Sequence, residues 1–193
     1  FRVTRNKDGN FPIALEETPI DKEFFLAADF DNDENAEILV FGPTAVWLYS
    51  ADAALLDILD WDAAWPEMDC PPVFDGQYIW AAGANRLLLF AVAQQQVQLV
   101  SQIEKEAISL IALPEESGWD AAIINGAFMA DTLTLFKYDA GQFQMESHPL
   151  PFSAEKLAWQ GESRFAVWCE NQWAVGDLDS GEWNAGLASQ PIA

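Results

Sequence analysis

The chain has 193 residues, 51% of them hydrophobic, and carries nine Trp and thirteen Phe, which argues for a packed core and against a solvating acidic coil. Acidic residues outnumber basic ones 31 to 9, giving a formal net charge of −22. That balance argues against nucleic acid or an anionic membrane as the main partner, and favours cations or a basic protein.

One histidine and two distant cysteines, Cys70 and Cys169, give Cys/His zinc chemistry almost no ligands. The cysteines read equally as one disulfide or as two thiols. No apolar run reaches the roughly eighteen residues of a membrane span, so no membrane insertion is expected. No signal-peptide pattern is visible, and the chain opens at Phe1, so it reads as a mature product or a fragment.

In chain order, "FRVTRNKDGN" is an alternating strand running into a polar turn, and "FPIALEE" follows as its partner. The inner strand "EFFLAADF", the acidic stretch "DFDNDENAE" and the strand "AEILVFG" come next, then "VWLYSADA" from Val46. Residues 51–65, "ADAALLDILDWDAAW", are the best helical candidate, but their apolar spacing is mixed and the first part reads as an outer strand. "QYIWAAG", "LLLFAVAQQ" and "QVQLVSQI" repeat the strand order, and so do "AISLIAL", "DAAIING", "LTLFKYDAGQ" and "QFQMESHPL". "KLAWQG", "RFAVWCEN" and "WAVGDLDSGE" close the series.

Equivalent strands recur about every 43 residues, four to a unit. A four-stranded sheet of this size is apolar on both faces and must be covered by neighbours. The spacing therefore predicts an all-β fold, a β-propeller or part of one, with blades at about 21–65, 66–105, 106–150 and 151–193. A sandwich with coincidental spacing is the rival. Residues 1–20 supply a hairpin without its preceding strands, hence half a blade. Either residues 185–193 help complete it, or the chain belongs to a larger ring, closed by another segment or another chain.

The acidic stretch is the strongest chemical signal. Asp29, Asp31, Asp33 and Glu37 stand at positions 1, 3, 5 and 9 of a loop, and the backbone carbonyl of Asn35 at position 7 adds a fifth oxygen. Hard cations such as Ca²⁺ take six to eight oxygens, several of them carboxylates, and a divalent ion turns the mutual repulsion of such a loop into attraction. An EF-hand is excluded, because its Gly and its bidentate Glu fall on Glu34 and Val40. The alternative is a solvated acidic loop.

Residues 1–50 resemble the FG-GAP (VCBS-type) repeat, the propeller repeat of integrin α subunits and of many bacterial secreted proteins. The family pattern is a hairpin, a spacer, an Asp-x-Asp-x-Asp-Gly-x-x-Asp loop and an apolar strand. It is met by "RNKDGNF", "DFDNDENAE" and "ILVFG". Glu34 stands for the usual Gly, and Glu37 for the last Asp. The resemblance implies a calcium-binding propeller in an extracellular or periplasmic setting. The matching positions of later units read "CPPVFDGQ", "LPEESGWDA" (with Glu115, Ser117 and Asp120) and "AWQGESRFA", so one cation site is expected.

Other candidates are weaker. His148, in "ESHPL", reads as an exposed residue near the end of an outer strand, with no nucleophile motif to join it. Glu115 with Glu116, and Asp57 with Asp60 and Asp62, are pairs that so acidic a chain produces by chance. "DLDSGEW", residues 177–183, resembles a WD-type hairpin whose turn is explained by Gly181. Trp47, Trp173, Trp80 and Trp168 read as packing between blades, whereas Trp61, Trp65, Trp119 and Trp183 read as loop residues that pack or bind.

The expected role is a calcium-binding interaction or scaffold module, not an enzyme, that meets protein or glycan partners through its loops. The rivals are a glycan-active lyase or hydrolase and an acidic intracellular protein-binding module.

Overall fold

A computed structural model describes residues 24–42, 45–60, 68–83, 85–125 and 131–187. The expected half blade at 1–20 lies outside the described residues, as do Trp61 and Trp65. The described chain is all-β, with sixteen strands in four four-stranded antiparallel sheets and a single 3₁₀ turn at Glu115–Ser117. Among the described residues no helix is long and apolar enough to cross a membrane.

Each sheet is a meander of consecutive strands. The first holds β1 (Phe24–Ala28), β2 (Glu37–Phe41), β3 (Ala45–Ser50) and β4 (Leu55–Asp60). The second holds β5 (Met68–Phe74), β6 (Ile79–Gly83), β7 (Arg86–Ala93) and β8 (Gln96–Glu104). The third holds β9 (Ser109–Ala112), β10 (Ala121–Asn125), β11 (Thr132–Asp139) and β12 (Gln142–Pro149). The fourth holds β13 (Lys156–Gly161), β14 (Arg164–Cys169), β15 (Gln172–Asp177) and β16 (Glu182–Leu187).

Tight turns enforce the meanders. Both Gln94 and Gln95, between β7 and β8, take positive φ, as do Ala140 and Gly141 between β11 and β12. Their left-handed conformation matches the strand twist of a two-residue hairpin. At the last hairpin the Asp177 carboxylate accepts hydrogen bonds from the Ser163 hydroxyl (2.9 Å) and the Asp179 N–H (3.0 Å). These bonds, that of Ser163 first, hold its pKa below the usual carboxylate value.

The first strands form a row in which β1 meets β5, β5 meets β9 and β9 meets β13. Three cores fill the gaps between successive sheets. Leu39, Phe41, Leu48, Ile79 and Phe90 pack between the first and second. Trp80, Leu87, Ile123 and Phe136 pack between the second and third. Ile124, Leu133, Phe165 and Val167 pack between the third and fourth. Every residue of β6 is buried, with Ile79 and Ala81 facing one way and Trp80 and Ala82 the other, which is why "IWAAG" shows no polar alternation.

The outermost faces differ from these. On the first sheet Phe25 of β1 is 74% exposed and Leu55 and Ile58 of β4 are partly so, and on the fourth Trp173 and Val175 are exposed. Of the four strand tryptophans expected to pack between sheets, only Trp80 is fully buried there. Trp173 instead lies against Gly186, where an added Cβ would come within 2.7 Å of the indole, and it faces away from the core. Trp119 and Trp183 are partly buried against the core between the third and fourth sheets.

Two further expectations are corrected. Residues 70–74 of "CPPVFDGQ" are strand, not loop. Pro71 and Pro72 are tolerated because β5 is the edge of its sheet, and they cost the ladder its regularity between Met68 and Val73. His148 is only half-exposed at most: 16% of its side chain is accessible, and its Nε2 is buried. Its strand turns that face toward the fourth sheet.

Cys70 and Cys169 are free thiols. Burial, aided by the Asp69 charge, pushes the Cys70 thiol up to about 12, so it is inert.

Candidate metal centre

The connection between β1 and β2 is built around aspartates that hold its backbone. Asp29 accepts the Asp33 N–H at Oδ1 (3.1 Å) and the Glu34 N–H at Oδ2 (3.0 Å). Asp33 Oδ1 accepts the Asn35 N–H (2.8 Å) and the Asn35 amide (3.0 Å). These short side-chain-to-backbone bonds are what Asp and Asn offer a turn in place of a ladder.

The coil needs two left-handed residues, Asn32 (φ 58°) and Glu34 (φ 70°). Asn tolerates that region well. Glu34, with its Cβ, is held in a region that Gly enters freely, at a cost of about 1 kcal/mol or more. Glu34→Gly is therefore expected to raise the urea unfolding midpoint, by about 1 kcal/mol of stability at fixed calcium. A lower midpoint would show that the Glu34 side chain contributes more than its strain costs.

Phe30, between two of the aspartates, anchors the loop. It is buried and meets Phe74 of β5 edge-on at 5.1 Å. Its N–H donates to Glu37 Oε2 at 3.0 Å. Sequence reading passed over Phe30 as strand residue. The signal was there, since an apolar ring between two carboxylates has to point away from them.

Asp29, Asp31, Asp33 and Glu37 come together: one carboxylate oxygen from each lies within 4.8 Å of all the others. Glu37 is 4% exposed, whereas Asp33 lies in water. Burial raises the Glu37 pKa above its usual value of 4.5; the charges of Asp31, Asp33 and Asp29 raise it further, against the Phe30 N–H bond. Asp31 Oδ1 is buried and accepts no hydrogen bond from the protein. Asn35, whose backbone carbonyl is the expected fifth donor, is exposed, and its N–H and side-chain amide serve Asp33. Four converging carboxylates, one of them buried and another carrying an unpartnered buried oxygen, form a group that can hold a metal ion.

The other first connections do different work. In the second sheet Asp75 accepts from Gln77 N (2.7 Å), Tyr78 N (2.6 Å) and the Trp80 indole (2.6 Å), so protein donors already surround its charge. In the third, Asp120 accepts the Tyr138 N–H at 2.7 Å. Burial, opposed by that bond, raises its pKa. Among the described residues the β1–β2 loop is the one group that can hold a metal.

No protein-family model matches the chain, and no curated protein matches it. The site is therefore read from its own chemistry.

Proposed function

We propose that the chain is an arc of a β-propeller of the FG-GAP type, pinned by a calcium ion on Asp29, Asp31, Asp33 and Glu37. It acts as an interaction module, meeting protein or glycan partners with the loops at its sheet ends. The observation that carries this reading is the convergence of four carboxylates within 4.8 Å at one strand connection.

The choice of calcium rests on donor chemistry: Ca²⁺ takes six to eight oxygens, several of them carboxylates, in a flexible shell, whereas Mg²⁺ gives up its waters reluctantly and is held by one or two carboxylates. The ion would tie the end of β1 to the start of β2, and so fix a connection whose charges otherwise push apart. Its role is structural, and the setting is one rich in calcium, outside the cell or in the periplasm. Partner binding is assigned to the module, not to the ion.

Calorimetric titration of ion-free protein tests this. The expected result is one Ca²⁺ per chain, Mg²⁺ at least tenfold weaker, and no calcium heat from Asp31→Ala. Equal affinity for both ions, or an unchanged isotherm in the variant, would refute the assignment.

A further inference from the structure

Between the first and second sheets the outer strands close on each other. β4 meets β8, and Asp57 Oδ2 accepts the Val97 N–H at 2.9 Å. Between the third and fourth sheets β13 meets β9 and β10, but among the described residues the outer strands β12 and β16 have no contact comparable to that of β4 with β8. The sheets diverge outward, and a cleft of about 270 Å³ opens between them. That is room for one long side chain, below the roughly 300–1,000 Å³ of sites that swallow whole small ligands.

Its walls are apolar at Trp119 and Phe165 and acidic at Glu116, Glu146, Glu162 and Asp179. Lys137 Nζ donates to the Gly118 carbonyl at 3.3 Å, beside the cleft, and two further positive groups have carboxylate neighbours. His148 Nε2 lies 3.0 Å from Glu146 Oε1, an ion pair when the imidazole is doubly protonated, and Arg164 stands outside, 3.9 Å from Glu162. Glu116, Glu146, Glu162 and Asp179 are exposed at the rim, and together they set a negative potential over the mouth of the cleft. They are too dispersed for one metal ion, since only the β1–β2 loop groups its carboxylates closely enough among the described residues.

A glycan fits poorly, because it needs donors as well as acceptors. The hydroxyl of Ser117 donates to the Trp119 carbonyl, and that of Ser163 to Asp177. The remaining chemistry, apolar side chains below exposed carboxylates, suits a spread cation on an apolar stem.

We infer that this cleft receives an arginine or lysine side chain from a basic polypeptide partner. The inference rests on the interaction-module reading and names its partner, but it does not depend on the cation loop, which shares no residue with the cleft.

The test uses a built-in reporter. His148 is the only histidine, so its imidazole gives one identifiable set of NMR signals. The whole chain is titrated with a capped Arg-Ala-Arg peptide, a capped Gln-Ala-Gln peptide and cellohexaose. The expected result is a saturable His148 shift with the arginine peptide alone. Glu146→Gln with Glu162→Gln should weaken it at least tenfold. Glu155→Gln with Glu170→Gln, the same charge change at exposed positions outside the cleft, should weaken it less than twofold. Equal weakening by both pairs would reduce the effect to net charge and overturn the site. So would a silent His148 signal, or a response to the oligosaccharide in place of the peptide. Repeating the titration in chelator separates the two readings, because loss of calcium binding leaves the arginine response in place.

Discussion

In chelator, Glu37→Gln is expected to unfold at a higher temperature than the parent chain; in calcium the order reverses. Glu37 is buried, and its folded pKa is raised by that burial and by Asp31, Asp33 and Asp29. For an acid shifted upward, the fold disfavours the ionised form. The stability it contributes is complete below its ordinary value of 4.5 and is lost as pH rises through the higher folded value. At neutral pH the ion-free loop therefore carries the full cost. Glutamine removes the charge, keeps an acceptor for the Phe30 N–H, and brings an amide donor toward the unpartnered Asp31 Oδ1.

Calcium inverts the comparison. At a hundred times its dissociation constant, an ion stabilises the fold by about 2.7 kcal/mol, or roughly 5–10 °C for a chain of this size. The variant, one carboxylate short, forfeits most of that gain. Thermal unfolding by circular dichroism, with calcium and with chelator, reads both arms. The same order in both buffers would leave the loop a solvated acidic turn. A corollary follows in chelator: lowering the pH from neutral toward 4.5 should narrow the gap between parent and variant.

Trp80→Ala is expected to have the largest effect of any single substitution. The ring is fully buried between the second and third sheets, with Phe143 at 5.9 Å and Phe136 at 6.2 Å. Its indole N–H donates to Asp75 Oδ2 at 2.6 Å. Emptying such a site costs about 3–5 kcal/mol. A hydrogen bond to a charged group adds about 1.5–3 kcal/mol. Together these reach the total stability of many single domains, about 5–15 kcal/mol. Trp80→Phe separates the terms, since it keeps most of the packing and loses only the N–H; a cost of about 2 kcal/mol is expected. Urea midpoints decide. If both variants lie within about 1 kcal/mol of the parent, the second and third sheets do not pack through this residue.

The strands were legible because their turns are explicit. Gly and paired polar residues end each apolar run, and four runs recur in order. β5 was not legible, since Pro71 and Pro72 cancel the strand signal unless the strand is known to be an edge. The acidic loop was legible from alternating carboxylates, but its electrostatics were not. Nothing in the spacing of Asp29, Asp31, Asp33 and Glu37 says that the last is buried while the third lies in water. The cleft was invisible for a different reason. Trp119, Glu146, Glu162 and Asp179 come from separate connections and strands, and only the divergence of two sheets brings them together. His148 was misjudged with them, because the sequence places it on an outer strand without saying that its face turns toward a neighbouring sheet.

Every sheet here is assembled from strands that follow one another directly along the chain. The loops closed to form any one of them are therefore short, and little chain entropy is spent before the first contacts form. Each meander can take shape while the next is still being synthesised, and neighbouring sheets then dock one after another, as in a linear array. The chain can be lengthened or shortened by whole sheets at its ends without breaking any ladder that remains. Duplication of one such segment adds a folding unit and an interface in a single genetic event.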